Sequence, residues 1–128
     1  MRNVILLIED NEQNRYLLTF LLERHGHEVR CAADGIHGIE LAKTLAPRLI
    51  LLDIQLPRMD GYAVARALRQ LEALRDTPIV AVTSYAMPGD RERALECGCT
   101  GYIEKPINPE TFVAEMERAL SRPAGEDP

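Results

Sequence analysis

Leu49-Ile50-Leu51-Leu52-Asp53 places four consecutive apolar residues directly before a carboxylate. An apolar run without alternation indicates a strand that is covered on both faces, here Leu49–Leu52. Val4–Ile8 and Ile79–Val82 show the same pattern, while Glu28–Cys31 and Gly101–Ile103 are weaker candidates. The sequence therefore predicts five short strands, of which the three most apolar belong to the buried part of a parallel sheet.

Segments of helical period separate the predicted strands. Their apolar residues recur at helical spacing, so each segment is expected to bury one face. The last helix has the clearest start, because Asn108 can cap its first turn and Pro109 suits its first position. Helix by helix, the predicted buried residues are Leu17, Leu18, Leu21 and Leu22; Ile36, Ile39 and Leu45; Val64, Ala65, Leu68 and Leu71; Ala94 and Leu95; and Phe112, Val113, Met116 and Leu120.

Five strands that alternate with five helices predict an α/β fold, with a parallel sheet covered by helices on both faces. For five strands, the commonest doubly wound arrangement is the flavodoxin-like order 2-1-3-4-5. This order is inferred from the frequency of the fold, because the residues alone do not fix it. Residues 1–121 are predicted to form one domain, and residues 122–128 a polar tail.

Polar side chains follow four of the predicted strands. Glu9 and Asp10 follow the first strand, Asp53 the third, Thr83 the fourth and Lys105 the fifth. In this fold, ligands bind outside the carboxyl ends of the strands, where the strand order reverses. Three neighbouring carboxylates require a proton or a cation, and hard oxygen ligands favour Mg²⁺, with Mn²⁺ as an alternative. With an ammonium and a hydroxyl beside them, they predict a site that accepts a phosphoryl group on Asp53.

Composition argues against several other classes of protein. The net charge of −5 disfavours a surface that binds nucleic acid, and no apolar run approaches the length of about 20 residues that spans a bilayer. We therefore expect a cytoplasmic protein without nucleic-acid or membrane partners. Cys31, Cys97 and Cys99 lack the spacing of a redox or zinc motif and are expected to be ordinary thiols.

Six motifs, in this order, resemble the receiver (CheY-like) domain of bacterial two-component response regulators. They are Ile8–Asn11, Gly26–Val29, Ala33–Gly35, Leu52–Gly61, Ala81–Ser84 and Gly98–Pro106. The resemblance extends from Ile5 to about Leu120. It implies a single-domain regulator that catalyses only its own phosphorylation and dephosphorylation.

The resemblance also implies a role for individual residues. Asp53 matches the phosphoacceptor, and the Mg²⁺ ligands would be Glu9, Asp10, Asp53 and the backbone carbonyl of Gln55. Thr83 and Lys105 match residues that contact the phosphoryl group, Tyr102 matches an aromatic residue that moves inward on activation, and Lys105–Pro106 matches a peptide bond that is usually cis. Glu9 stands where aspartate is commoner, Ser84 where alanine is frequent, and Gln55 and Tyr85 occupy positions that tune the lifetime of the phosphoryl group.

The implied phosphodonor is a sensor histidine kinase or a histidine phosphotransfer protein. It would dock near the first helix, where Asn11, Gln13, Asn14 and Arg15 offer polar contacts. Output would go to an unknown downstream protein or by onward phosphotransfer. Met1 just before the first strand favours a stand-alone protein, although a domain cut from a hybrid kinase remains an alternative.

Three other functions are less consistent with the sequence. A phosphatase of the haloacid dehalogenase type would need a second aspartate where Gln55 stands, and a flavin module would need a phosphate loop where Glu9 and Asp10 stand. A degenerate receiver that binds partners without phosphorylation is disfavoured, because all the residues for phosphorylation are present.

Overall fold

The computed structural model describes residues 4–56, 59–84 and 87–121. Five parallel strands form one sheet in the order β2-β1-β3-β4-β5, which confirms the predicted flavodoxin-like fold. Helices alternate with the strands, and a 3₁₀ turn that was not predicted, Glu72–Leu74, lies between α3 and β4. The elements are β1 Val4–Ile8, α1 Glu12–Glu23, β2 Glu28–Ala32, α2 Gly35–Leu45, β3 Leu49–Asp53, α3 Gly61–Gln70, β4 Ile79–Thr83, α4 Asp90–Glu96, β5 Gly101–Glu104 and α5 Pro109–Leu120.

The central strands are buried on both sides because their residues alternate between two cores. Leu6 and Ile8 of β1 pack on the side covered by α2, α3 and α4. Ile5 and Leu7 pack on the opposite side, with residues of α1 and α5. β3 divides its residues in the same way, and both of its faces are fully buried. This two-sided burial accounts for the continuous apolar runs in the sequence.

Four strands end one residue later than predicted. β3 includes Asp53, which pairs with Val82, and β4 includes Thr83, which pairs with Glu104. The apolar pattern reports burial in the core, whereas the strand continues for as long as its backbone pairs with a neighbour. The chemistry-bearing side chains of β3 and β4 are consequently held by the sheet itself.

Short polar side chains begin four of the five helices. Asn11 and Asp34 accept backbone N–H bonds from the first turns of α1 and α2, and Asp60 and Asn108 do so for α3 and α5. Each cap satisfies a donor that the helix leaves unpaired. Pro109 occupies the first position of α5, as the sequence predicts.

Arg69 of α3 joins three backbone segments at the edge of the domain. Its guanidinium donates to the carbonyl of Gly98, at the end of α4, at 3.1 Å from Nε. It also donates to the carbonyls of Leu74, Arg75 and Thr77 at 2.7–3.0 Å. The connection between α3 and β4 is therefore tied to the corner between α4 and β5.

Some predicted core residues are exposed instead. Ile36 is 63% exposed and Leu95 is 40% exposed, and Leu17 lies at the edge of the α1 core face at 37%. In α2 the side that faces the sheet is set by Gly35, Gly38 and Ala42, which turns Ile36 outward. Adjacent helical residues are rotated by about 100°, and in the short helix α4 this rotation buries Ala94 but leaves Leu95 partly exposed.

The predicted polar tail, residues 122–128, and Tyr85 lie outside the described residues. Among the residues that are described, no helix combines the length and the apolar character needed to span a membrane.

Candidate functional site

Two neighbouring strands bring the acidic residues together. β1 and β3 are paired in parallel with Ile8 opposite Leu52, so Glu9 and Asp53 leave the same edge of the sheet side by side. Carboxylate oxygens of Glu9, Asp10 and Asp53 all lie within 4.8 Å of one another. Glu9 and Asp53 are buried, whereas Asp10 is exposed at the mouth of the site.

Lys105 reaches into this cluster from the end of β5. Its Nζ lies 3.0 Å from Glu9 Oε1 and 3.5 Å from Asp53 Oδ2. The backbone N–H of Lys105 donates to the carbonyl of Thr83 at 2.8 Å, and the following bond to Pro106 is cis. Residues that are 96 positions apart in the sequence thus form an ion pair.

The two buried carboxylates have pKa values that are shifted in opposite directions. Burial, the hydrogen bond with Glu9 and the charge of Glu9 raise the pKa of Asp53 from 3.8 to about 7. Burial also raises the pKa of Glu9, but hydrogen bonds with Asp53, Lys105 and the N–H of Asn11 outweigh it and lower the pKa overall. Since Lys105 lies closer to Glu9, we assign the negative charge to Glu9 and the proton to Asp53 in the metal-free protein.

The carboxylates of Glu9 and Asp53 also raise the pKa of Lys105. Burial lowers the pKa of Lys105, but its hydrogen bond with Glu9 and the charge of Asp53 outweigh this effect, so the pKa lies above the ordinary value. Lys105 is therefore a permanent cation beside the carboxylates near neutral pH.

A close backbone approach shapes the loop after Asp53. The N–H of Gly61, the first residue of α3, donates to the carbonyl of Ile54 at 3.0 Å. A Cβ atom on Gly61 would lie 2.5 Å from the Cα of Ile54 and 2.7 Å from the carbonyl oxygen of Asp53. Only glycine allows α3 to begin this close to the phosphoacceptor candidate.

Gln55 contacts both the aspartate and the end of β4. Its backbone N–H donates to Asp53 Oδ1 at 2.9 Å. Its side-chain Oε1 accepts from the N–H of Ser84 at 2.9 Å, and its Nε2 donates to the hydroxyl of Thr83. The family resemblance pointed to Gln55 through its backbone carbonyl and as a position that tunes the lifetime of the phosphoryl group, but no sequence pattern indicated this side-chain bridge.

The predicted docking residues lie on and beside the first turn of α1. Asn11 is the helix cap, accepting from the N–H of Asn14 at 2.9 Å, and Gln13 is exposed. Arg15 is turned inward, where its guanidinium donates to the backbone carbonyl of Glu9 at 2.8 Å. Asn11 and Arg15 are therefore held by hydrogen bonds to the backbone beside the site, whereas Gln13 is exposed to solvent.

Tyr102 of β5 lies partly buried against the core on the α4 side. Burial and the charge of Asp90 raise its pKa, so the phenol is neutral near neutral pH. The neighbouring ring of Tyr62 is covered by the guanidinium of Arg93, 4.2 Å from the ring centroid, which links α3 to α4. On the paired strands β4 and β5, Tyr102 lies opposite Ala81, two residues before Thr83, and Lys105 follows Glu104, which lies opposite Thr83.

The donor set fits a hard divalent cation. Glu9, Asp10 and Asp53 supply only carboxylate oxygens, and the exposure of Asp10 leaves room for water ligands. Mg²⁺ prefers such sites, in which a few carboxylates hold it and several waters remain. When Asp53 is ionised, the two buried carboxylates and the one lysine leave negative charge for a cation to offset.

The chain matches the model of the response regulator receiver domain over residues 5–117. It belongs to this family, whose members act in two-component signalling. The protein is thus a receiver domain of the response regulator class, with a CheY-like fold.

Particular relatives support this assignment. The chain is 40% identical to the polar-differentiation response regulator DivK of Brucella ovis over 120 residues, which cover 94% of this chain and 98% of that protein. The receiver domain of a Pseudomonas aeruginosa sensor histidine kinase, with a magnesium ion coordinated in its active-site cleft, is 34% identical, with a TM-score of 0.87 over 95% of this chain and all of that one. The chemotaxis response regulator CheY4 of Vibrio cholerae is 28% identical, with a TM-score of 0.88 over 93% of this chain and 99% of that one.

Proposed function

We propose that this protein is a response regulator that accepts a phosphoryl group on Asp53 in the presence of Mg²⁺. The observation that carries the proposal is the buried cluster in which Asp53 and Glu9 share the ammonium of Lys105, with Asp10 at the entrance. A cluster of this kind, at the edge where the strand order reverses, is suited to group transfer from an external phosphodonor. The protein would act on its own side chain rather than on a separate substrate.

Glu9, Asp10 and Asp53, with the backbone carbonyl of Gln55, would hold the cation. When bound, Mg²⁺ would neutralise charge on the transferred group and favour the ionised form of Asp53. The raised pKa of Asp53 in the metal-free protein means that protons and Mg²⁺ compete for the same carboxylate. Mn²⁺, which accepts the same oxygen ligands, would be an alternative.

The chain's own residues would perform the transfer. A carboxylate oxygen of Asp53 attacks the phosphorus of a phosphohistidine in line, the new O–P bond forms as the N–P bond breaks, and the imidazole leaves and takes up a proton from solvent. Lys105, already 3.5 Å from Asp53 Oδ2, is placed to neutralise an oxygen of the incoming group. The Thr83 hydroxyl would donate to another.

The phosphodonor would be a sensor histidine kinase or a histidine phosphotransfer protein. An open groove of about 490 Å³ leads to Lys105 between α1 and the start of the β5–α5 connection. Both polar and apolar side chains line it, which would suit a helical partner that presents a histidine. Its lining residues are Asn14, Leu17, Ser84, Lys105, Pro106 and Ile107. Asn11, Gln13 and Arg15 border the same end of α1.

Phosphorylation would then alter a surface to which a downstream protein binds. The added charge of about −1.5 to −2 would draw Thr83 and Lys105 toward the phosphoryl group. Tyr102, which is only partly buried, would move further inward and change the face formed by α4, β5 and α5. A net charge of −5 does not suit nucleic acid as the output partner. The protein would act in the cytoplasm, where histidine kinases transfer phosphoryl groups to their response regulators.

The test is the intact mass of the protein after incubation with Mg²⁺ and acetyl phosphate. We expect the wild type to gain one phosphoryl group, and to lose this ability when EDTA is present. Asp53→Asn should gain none, while Asp76→Asn, a matched change at an exposed aspartate, should behave like the wild type.

Beryllofluoride separates a short-lived adduct from an inactive site. Because beryllofluoride imitates an aspartyl phosphate without being hydrolysed, the wild type should bind it with Mg²⁺ even if the phosphoryl group is lost too fast to weigh. A wild type that neither gains mass nor binds beryllofluoride would refute the proposal in favour of a degenerate receiver.

The role of Tyr102 has its own test. Tyr102→Ala should accept the phosphoryl group at close to the wild-type rate, because Tyr102 is not among the residues proposed to hold Mg²⁺ or to neutralise the phosphoryl group. Its affinity for a phosphorylation-dependent partner should fall, as pull-down and titration would measure. Unchanged affinity would remove Tyr102 from the switch.

A further inference from the structure

The side-chain amide of Gln55 joins two parts of the site that come from different strands. Gln55 lies two residues after Asp53, and its carboxamide reaches Thr83 and Ser84 at the end of β4. We infer that Gln55 is a positioning residue, whose side chain orients the hydroxyl of Thr83 to donate to the phosphoryl group on Asp53. This inference rests on the proposed phosphorylation of Asp53.

The hydrogen bonds fix which way the amide points. A backbone N–H can only donate, so the atom of Gln55 that faces Ser84 N, at 2.9 Å, must be the oxygen. The NH₂ group is then the part that faces Thr83, and the hydroxyl oxygen of Thr83 accepts from it. A flipped amide would place two donors against each other at Ser84.

This orientation has a consequence for the hydroxyl hydrogen. Since Thr83 Oγ1 accepts from Gln55, its own hydrogen points away from Gln55 and toward another acceptor. Thr83 is buried, with 1% of its surface exposed, so bulk water does not compete for this arrangement. A donor that is oriented before the reaction stabilises developing charge without the cost of reorganisation.

The same residue also holds the phosphoacceptor. The backbone N–H of Gln55 donates to Asp53 Oδ1 at 2.9 Å, while its side chain holds the β4 end. Gln55 therefore links the carboxylate of Asp53 to the hydroxyl of Thr83 and holds the distance between them. A solvent-facing glutamine would make neither side-chain contact, whereas here both polar atoms of the partly buried carboxamide are paired.

A double-mutant cycle tests whether Gln55 acts through Thr83. The four proteins are the wild type, Gln55→Leu, Thr83→Val and the double variant, and the measurement is the dissociation constant of beryllofluoride at saturating Mg²⁺ by calorimetry. Leucine keeps the backbone N–H and carbonyl of Gln55 but lacks the amide, and the Mg²⁺ affinity of each protein is measured first so that every titration is made at saturating Mg²⁺. When Thr83 is present, we expect Gln55→Leu to weaken beryllofluoride binding about three- to tenfold. When Thr83 is replaced by valine, the same change should weaken binding less than about twofold.

Fluorine NMR of the bound beryllofluoride gives an independent readout. The fluorine nearest the hydroxyl should shift in Thr83→Val, and the same resonance should shift in Gln55→Leu. Gln70→Leu, the same change at an exposed position of α3, should leave both the affinity and the spectrum unchanged. If circular dichroism shows that Gln55→Leu is misfolded, Gln55→Met replaces it in the cycle.

The outcomes separate this inference from the proposed function. A wild type that does not bind beryllofluoride refutes both. If the wild type binds but Gln55→Leu binds equally well or more tightly, or if the two changes are additive, the amide does not orient Thr83 and the inference fails.

Discussion

Replacing Asp53 with asparagine is expected to stabilise the magnesium-free protein above neutral pH, although it abolishes phosphorylation. In the wild type, the ionised carboxylate of Asp53 is buried beside that of Glu9, with the single ammonium of Lys105 between them. Asparagine removes one of the two charges and keeps an oxygen that can accept the N–H of Gln55. Lys105 retains its closer partner, Glu9.

The magnitude follows from the pKa of Asp53, which the folded protein raises from 3.8 to about 7. A carboxyl whose pKa is raised by folding stabilises the folded state in acid, and this contribution is lost progressively as the pH rises from the unfolded-state pKa of 3.8 to the folded-state value of about 7. At about 1.36 kcal/mol per pH unit, the upper limit of the loss is about 4 kcal/mol. Solvent and salt screen part of it, so we expect a gain of about 2 kcal/mol for Asp53→Asn.

Urea denaturation followed by circular dichroism, in EDTA, measures this difference at two pH values. At about pH 8, Asp53→Asn should unfold at higher urea than the wild type. Near pH 5 the gap should narrow to less than half, because most of the interval between the unfolded-state and folded-state pKa values of Asp53 lies above that pH. Asp76→Asn should show neither effect. An Asp53→Asn variant that is no more stable than the wild type at about pH 8 would refute the electrostatic account of the site.

Three further substitutions test other parts of the structure. Lys105→Met should raise the affinity for Mg²⁺ a few-fold, because a competing cation is removed, and should weaken beryllofluoride binding by about tenfold or more; parallel titrations check both directions. Gly61→Ala should cost about 2 kcal/mol or more, since its Cβ would meet the backbone of Ile54, and urea unfolding with a beryllofluoride titration measures the damage. Arg69→Met should cost about 3 kcal/mol in urea unfolding by leaving carbonyls unpaired, whereas the exposed Arg66→Met should cost less than about 0.5 kcal/mol; equal losses would contradict the tying role of Arg69.

Much of the fold was predictable because its signals are local. Continuous apolar runs such as Leu49–Leu52 reflect burial on both faces, and Asn108 with Pro109 marks the start of a helix by backbone chemistry alone. The structure confirms the strand order, which the sequence supplied only through the frequency of this fold. The exposed Ile36 shows the limit of local signals, since the face that a helix buries depends on what packs against it.

The sequence by itself determined the kinds of residue at the candidate site: carboxylates after β1 and β3, a hydroxyl at the end of β4 and a lysine after β5. The tertiary structure alone decided how they are paired. It placed Lys105 closer to Glu9 than to Asp53, and it turned the carboxamide of Gln55 onto Thr83. The physical reason is that strand position follows from short-range patterns, whereas the direction of a polar side chain is set by the donors and acceptors that distant parts of the chain bring beside it.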